Sequence, residues 1–241
     1  SVAVGKRPSG NKDPFGLRRA ALGIMRILIE EGLDIDIVDF LGRALAAQPN
    51  RPEDNKTSDS ELIEALYTFL IDRARAWFLD GQAPDLAAGV VTAEIFESVR
   101  VRCPASPLDL HQRLIAVCRF MQLEAADSLA AANKRIANIL RSADSRPDRT
   151  IDDSLFENAR ERALFDAIDQ VTGPHRTDLA ARDYERALTR LAGLREPVDA
   201  FFDDVMVMVD DARLRDNRLA MLDRIRRLFL DIADISCIPT H

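Results

Sequence analysis

The sequence predicts an all-α fold made of two helical bundles. Apolar residues recur at spacings of three and four, as in Leu17, Ala21, Ile24 and Leu28, and this is the pattern of one helix face. Capping signals precede several of these runs, and no stretch of strict apolar–polar alternation lies between hairpin turns. Because 47% of the 241 residues are hydrophobic, the chain can fill a sizeable core.

Helix boundaries in the first half follow from capping and stop residues. Asp13 before a proline suits an N-cap. Ser58 with Glu61 three residues later forms a capping box, and Gly32 and Gly81 are natural stops. Single helices are expected at 13–32, 35–47 and 58–81. Two short helices are expected within 84–101.

The second half is predicted to hold helices on both sides of a polar linker. One helix opens at Ser106-Pro107 and breaks near Gln122, and another covers 123–140. Residues 142–152 are polar and charged, so the boundary between domains 1–141 and 153–241 is placed there. The later helices are expected at 152–171, ending at Gly173-Pro174, and at 178–193, 196–208 and 212–235.

The segment VMVMV, residues 205–209, is ambiguous by itself. It fits either a short buried strand or the end of a buried helix. We favour the helix because Asp199, Phe202 and Met206 continue the spacing of three to four residues.

Composition and motifs argue against several classes of function. No apolar window approaches eighteen residues, and a net charge of −7 does not suit nonspecific nucleic-acid binding. The three cysteines and three histidines lack zinc-ligand spacing, and no phosphate-binding loop or nucleophile motif occurs. We therefore expect no catalytic residue and no metal site in this chain, and the odd, unspaced cysteines fit a cytosolic protein.

Two groups of cations in the first 141 residues are candidates for binding. One surrounds the first helix and includes Arg18 and Arg19, and the other, in the alanine-rich run 130–141, includes Lys134 and Arg135. Alanine neighbours would let another backbone come close. The alternatives remain open: a solvated entry segment for the first group, and a helix face packed on its neighbour for the second.

The third candidate is the pair Arg213 and Arg215, just before the last regular helix. At 100° per residue, Arg218 falls on the apolar seam of that helix, so we expect it to be partly buried and paired with an acid. Arg224 and Arg227 fall on the opposite face, where neighbouring aspartates neutralise charge. Arg213 and Arg215 are therefore the pair that we expect to be more available to bind a ligand.

Three stretches of the sequence resemble the β subunit of bacterial two-subunit glycine–tRNA ligases. The first two are PSGNKDPFGLRRAALGIMRIL at 8–28 and AAANKRIANIL at 130–140. The most specific is REPVDAFFDDVMVM, followed by LRDNRLAML and FLDIADIS, within 195–236. The resemblance covers nearly the whole chain but only the C-terminal portion of a longer subunit. The start at Ser1 without methionine suggests either a processed chain or a fragment of a longer one, and we favour the fragment.

The resemblance implies a role in protein synthesis. Residues 1–141 resemble the helical region that follows an HD-like domain, and residues 153–241 resemble the DALR-type anticodon-binding domain. The implied partners are tRNA(Gly) and a separate α subunit in an α2β2 assembly, without membrane or DNA. ATP and magnesium would serve the holoenzyme, an aminoacyl-tRNA synthetase of the cytoplasm, with no cofactor in this chain. The alternative is a helical scaffold for subunit assembly without direct anticodon contact.

Charge sets a condition on RNA binding. Residues 151–241 carry 13 basic and 19 acidic side chains, so the overall field does not attract phosphates. Glycine anticodons, however, all present two cytosines, whose exocyclic N4 amine can donate to a carboxylate. Acids on the recognition surface could therefore specify bases while a few arginines hold phosphates.

Overall fold

The computed structural model describes residues 16–48, 58–143 and 150–239, and the regular elements in these ranges are helices. No strand occurs within these ranges, which confirms the all-α prediction. The helices are α1 (Leu17–Glu30), α2 (Ile37–Ala46), α3 (Asp59–Leu79), α4 (Ala93–Arg100), α5 (Pro107–Phe120), α6 (Ala126–Ser142), α7 (Ala159–Ala180), α8 (Tyr184–Ala192), α9 (Arg195–Asp204) and α10 (Ala212–Leu230). None of these helices is long and apolar enough to cross a membrane.

The chain forms two compact units. Unit 1 comprises Ser1–Phe96 with Cys103–His111, and unit 2 comprises Glu97–Arg102 with Gln112–His241. Helices α4 and α5 contribute residues to both units. In unit 1, α1 and α2 pack on α3; in unit 2, α7 packs on α8 and α9, and α6 packs on α9 and α10.

The predicted domain boundary at 142–152 stays a prediction. Most of that linker, residues 144–149, lies outside the described residues, as do Asp13 and Pro14. Helix α6, which ends at Ser142, belongs to unit 2 together with α7–α10.

Capping residues begin and end the helices of unit 1 largely as expected. The Ser58 hydroxyl accepts from the Glu61 amide, and the Glu61 carboxylate accepts in return from the Ser58 amide at 2.9 Å. Gly81 ends α3 with φ 66°, and a Cβ there would lie 2.1 Å from the Ala88 backbone nitrogen, so only glycine fits. Only one of the two short helices expected at 84–101 forms, because residues 84–91 make turns instead.

Helix α7 does not end where the sequence suggested. It continues through Gly173 and Pro174 to Ala180, so the predicted stop is wrong. A proline inside a helix removes one backbone hydrogen bond. Here the carbonyl that loses its donor belongs to Gln170, which is exposed, so water can satisfy it. The following His175 is buried and anchors the last turns of α7 within unit 2.

The segment VMVMV is also not helical. Helix α9 ends at Asp204, and Val205 has extended backbone angles of φ −119° and ψ 118°. Val205 and Val207 are each 6% exposed, whereas Met206 is 73% and Met208 48% exposed. The extended backbone points alternate side chains to opposite sides, so two valines anchor the segment and two methionines face outward.

Candidate functional site

The candidate site lies in unit 2, where the connection between α9 and α10 runs beside α6. We call residues 205–211 the connecting segment. Its shape depends on the buried Val205 and Val207 and on hydrogen bonds from two arginines of α10. The connecting segment is therefore not helical, but its backbone is anchored, and its other side chains project from this anchored backbone.

Arg218 is the buried arginine that the helical phase predicted, and it fastens the connecting segment. Its side chain is 6% exposed, and its Nε donates to the Glu161 carboxylate at 2.7 Å. Its Nη2 pairs with Glu157 at 3.1 Å, and its Nη1 donates to the Met206 carbonyl oxygen at 3.0 Å. The expectation of a partly buried arginine paired with an acid is confirmed.

Glu161 completes this network from the start of α7. Burial by itself would raise the pKa of Glu161, but hydrogen bonds from Arg218 and from the Asn158 and Glu157 amides outweigh it and lower that pKa. Burial by itself would lower the pKa of Arg218, but its hydrogen bonds and ion pairs with Glu161 and Glu157 outweigh burial and raise that pKa. Both groups are therefore ionised at neutral pH, and the pair links α7, α10 and the connecting segment.

The lowered pKa of Glu161 makes part of the stability depend on pH. Ionised Glu161 stabilises the fold fully above the unfolded-state pKa of about 4.3, and this contribution is lost as the pH falls through the lower folded-state value. We expect Glu161→Gln to be less stable than the wild type at neutral pH, with the difference narrowing below about pH 4. Denaturant unfolding over a pH series measures this.

The control for that series is Glu196→Gln, which changes an exposed glutamate of α9. The free energy of unfolding of Glu196→Gln should follow that of the wild type over the whole pH series. A constant difference between Glu161→Gln and the wild type down to acid pH would contradict a lowered pKa for Glu161.

Arg213 and Arg215 lie in the first turn of α10. Arg213 is exposed, and the Arg215 Nη1 donates to the Val209 carbonyl oxygen at 2.8 Å. Since a guanidinium has five N–H donors, Arg215 keeps others for a ligand. The Asp211 carboxylate already accepts from the Arg213 and Leu214 amides, so the helix end itself offers an anion fewer free N–H groups than the sequence suggested.

A cavity of about 570 Å³ opens beside the connecting segment. The Arg135 guanidinium carbon of α6 lies 4.2 Å from the centroid of the Phe202 ring of α9. Among the described residues, the exposed side chain of Asp203 has no hydrogen-bond or ion-pair partner, whereas Asp204 pairs with Arg160 at 2.8 Å. The cavity is lined by Arg135, Ile139, Phe202, Asp203, Asp204, Val205, Met206, Val207 and Met208.

The remaining candidates divide between the two units. Lys134 is exposed on α6 in unit 2, one residue before Arg135. Arg18 and Arg19 lie in the first turn of α1 in unit 1, half-buried and exposed respectively. Of the six candidates, Lys134, Arg135, Arg213 and Arg215 thus belong to one unit.

Sequence reasoning missed the part of the cavity that the end of α9 supplies. Phe202, Asp203, Met206 and Met208 were assigned to a helix that continued to residue 208. The strict alternation of valine and methionine after two aspartates was the available signal, because that period belongs to extended backbone. In the described ranges, no group of three or more His, Cys, Asp or Glu residues is placed to hold a metal ion.

Two family models match different parts of this chain. Residues 1–93 match the model of the glycyl-tRNA synthetase beta subunit, and residues 129–238 match that of the DALR anticodon binding domain. The second match begins before α7 and so includes α6, with Lys134 and Arg135, as well as Arg213 and Arg215.

Curated relatives extend the similarity over nearly the whole chain. The glycine–tRNA ligase beta subunit of Pseudomonas aeruginosa is 45% identical over 98% of this chain and 32% of its own length. Those of Vibrio parahaemolyticus and Aliivibrio fischeri are 43% and 42% identical over the same shares. The chain thus spans about a third of the length of these relatives and is similar to their C-terminal portion.

Proposed function

This chain is related to the β subunits of glycine–tRNA ligases, and from that relationship we propose that it binds the anticodon arm of tRNA(Gly) during glycylation. The observation that carries the proposal is the match of residues 129–238 to an anticodon-binding domain. That range contains the cavity, the connecting segment and four of the candidate cations. Lys134, Arg135 and Arg213 are exposed and Arg215 is half-buried, so this acidic unit offers cations at its surface for phosphate contact.

The proposal assigns the chemistry of glycylation to a separate α subunit. Activation of glycine with ATP and magnesium would take place there, in a cytoplasmic α2β2 assembly. This chain would position the tRNA by holding phosphates and reading bases, which needs cations, acceptors and stacking surfaces rather than a nucleophile.

A second candidate function is subunit assembly, and a groove in unit 1 favours it. The groove lies between α1, α2 and α3, has a volume of about 240 Å³, and its lining is entirely apolar. Ile27 is 57% exposed and Phe40 53% exposed there. Exposed apolar side chains grouped in this way are typical of protein-binding surfaces, so the two functions can reside in different units.

Replacing Arg213 and Arg215 together by alanine tests the RNA-binding proposal. If both hold phosphates, binding should weaken for every tRNA alike, and the salt slope should fall by about one to two. The measurement is the affinity for tRNA(Gly) and for an anticodon-swapped tRNA over a salt series.

The matched control removes two exposed arginines elsewhere in unit 2, Arg176 and Arg227. This double alanine variant has the same net charge as the variant that lacks Arg213 and Arg215. Its salt slope should fall less than that of the Arg213 and Arg215 variant. Loss of anticodon discrimination with an unchanged slope would place Arg213 and Arg215 on base edges instead. An unchanged affinity and slope would favour the assembly function for this surface.

A further inference from the structure

The cavity beside the connecting segment combines a stacking surface with an unpaired acceptor. The Arg135 guanidinium carbon lies over the Phe202 ring, 4.2 Å from its centroid, and forms a cation–π contact. Unstacked bases in RNA loops stack on aromatic rings and on guanidinium planes. The volume of about 570 Å³ lies within the range of about 300–1,000 Å³ that small-ligand sites occupy.

The polar lining of the cavity selects the kind of base. Asp203 has no partner for its carboxylate among the residues that the structure describes, and so it remains free to accept a hydrogen bond. A carboxylate accepts from the exocyclic amine of cytosine or adenine, but it faces an acceptor, O4, in uracil. On tRNA(Gly), the partner under the proposed function, the two anticodon cytosines supply such an amine. The neighbouring Asp204 is already paired with Arg160, which leaves Asp203 as the discriminating group.

The backbone behind the apolar part of the lining is anchored to unit 2. Arg218 donates to the Met206 carbonyl oxygen, and the valines on either side are buried. This anchoring leaves the exposed Met206 and Met208 side chains beside the cavity. Methionine is flexible and polarisable, and it packs well against aromatic rings, so these side chains can close over a flat base.

We propose that the cavity lined by Arg135, Phe202, Asp203, Met206 and Met208 is a pocket for one unstacked cytosine of an RNA loop. The inference rests on the proposed function and adds to it the position and chemistry of base recognition. Arg135 and Phe202 supply stacking, Asp203 accepts from the N4 amine, and the methionines exclude water. An acidic unit thereby uses one of its own carboxylates to read RNA.

Asp203→Asn tests the pocket in the full chain. Each of the two anticodon cytosines of tRNA(Gly) is replaced singly by uridine, and affinities for the three RNAs are measured. At the position that enters the pocket, we expect the wild type to prefer cytosine by about five- to tenfold. Asn carries an amine that can donate to uracil O4, so this preference should disappear in the variant.

Asp166→Asn is the matched control, since Asp166 is an exposed aspartate of α7 that does not line the cavity. Both variants remove one negative charge, so in both the electrostatic repulsion of phosphates should fall by a similar amount for all RNAs. Only Asp203→Asn should change the ratio between cytosine and uridine.

Arg135→Lys tests the stacking surface without changing the charge. Lysine lacks the planar guanidinium, so we expect about five- to tenfold weaker binding to tRNA(Gly), with the salt slope unchanged. Circular dichroism confirms the helical fold of each variant, whose altered side chain is exposed in the wild type.

The failures of the two proposals are distinguishable. If the wild type reads the anticodon and Asp203→Asn keeps the full preference, the pocket is disproved while the proposed function stands. If the wild type binds tRNA(Gly) but does not distinguish the three RNAs, the pocket is disproved while binding of the anticodon arm stands. If the wild type does not bind tRNA(Gly), both are disproved. Pocket variants that leave RNA discrimination intact but weaken association with the α subunit would overturn the inference in favour of protein docking.

Discussion

Phe229→Ala should lower the free energy of unfolding by about 3–5 kcal/mol, the range for truncating a large aromatic side chain in a core. Phe229 is 1% exposed in α10, and its ring centroid lies 6.0 Å from that of Phe120 in an edge-on arrangement. Truncation removes both the buried area and this ring contact, and leaves a cavity that helices on several sides cannot close. Denaturant unfolding followed by circular dichroism measures the loss.

Arg227→Ala is the control on the same helix. Arg227 is exposed and pairs with Asp223 at 2.7 Å, one helical turn away. Such surface pairs contribute little, so this change should stay within about 0.5 kcal/mol. Equal losses for the two variants would mean that Phe229 does not lie in the core of unit 2.

Arg218→Met should also cost about 3–5 kcal/mol, because it leaves a buried carboxylate without its counter-charge. Glu161 is 1% exposed, and Arg218 supplies both its charge partner and the hydrogen bond at 2.7 Å. Methionine keeps the unbranched shape and the helix propensity, so the loss reports the charge pair. The Met206 carbonyl loses its donor too, and anticodon discrimination should therefore weaken along with stability.

Two further variants separate the causes of that loss. Arg227→Met makes the same change on the exposed face of α10 and should leave the unfolding free energy nearly unchanged. Adding Glu161→Gln to Arg218→Met should recover part of the loss, since a neutral amide is less costly to bury than an unpaired carboxylate. No recovery would mean that the cost comes from packing rather than from charge.

The residue spacing in α10 shows which features of the core can be predicted from the sequence. The spacing of Leu222, Ile225 and Phe229 placed Arg218 on the buried seam, and the structure confirms this. The phase could not identify the acid that meets Arg218, because Glu161 lies 57 residues earlier in the chain. That pairing depends on how α7 packs against α10, and no local pattern contains this information.

The sequence predicted which cations belong to the candidate site, but it did not predict how the surrounding side chains are arranged. The cations of α6 and of the first turn of α10 were identified from the sequence as local clusters. The contact of Arg135 with Phe202 exists because α6 packs on α9. The position of Asp203 beside it depends on α9 ending at Asp204, which the continued spacing of apolar residues concealed.

Local chemistry by itself determined the helical class, the starts and stops such as Ser58 and Gly81, and the apolar seam of α10. Capping bonds and residue spacing act within a few residues, so the sequence displays them directly. Only the tertiary structure decided that α7 passes Pro174 and that residues 205–209 leave the helix. At Pro174 the neighbouring His175 is buried, and at residues 205–209 Val205 and Val207 are buried and Arg218 donates to the Met206 carbonyl oxygen. Preferences of about 1 kcal/mol per residue, or about 3 kcal/mol for a proline inside a helix, yield when several buried apolar side chains contribute about 1.5–3 kcal/mol each.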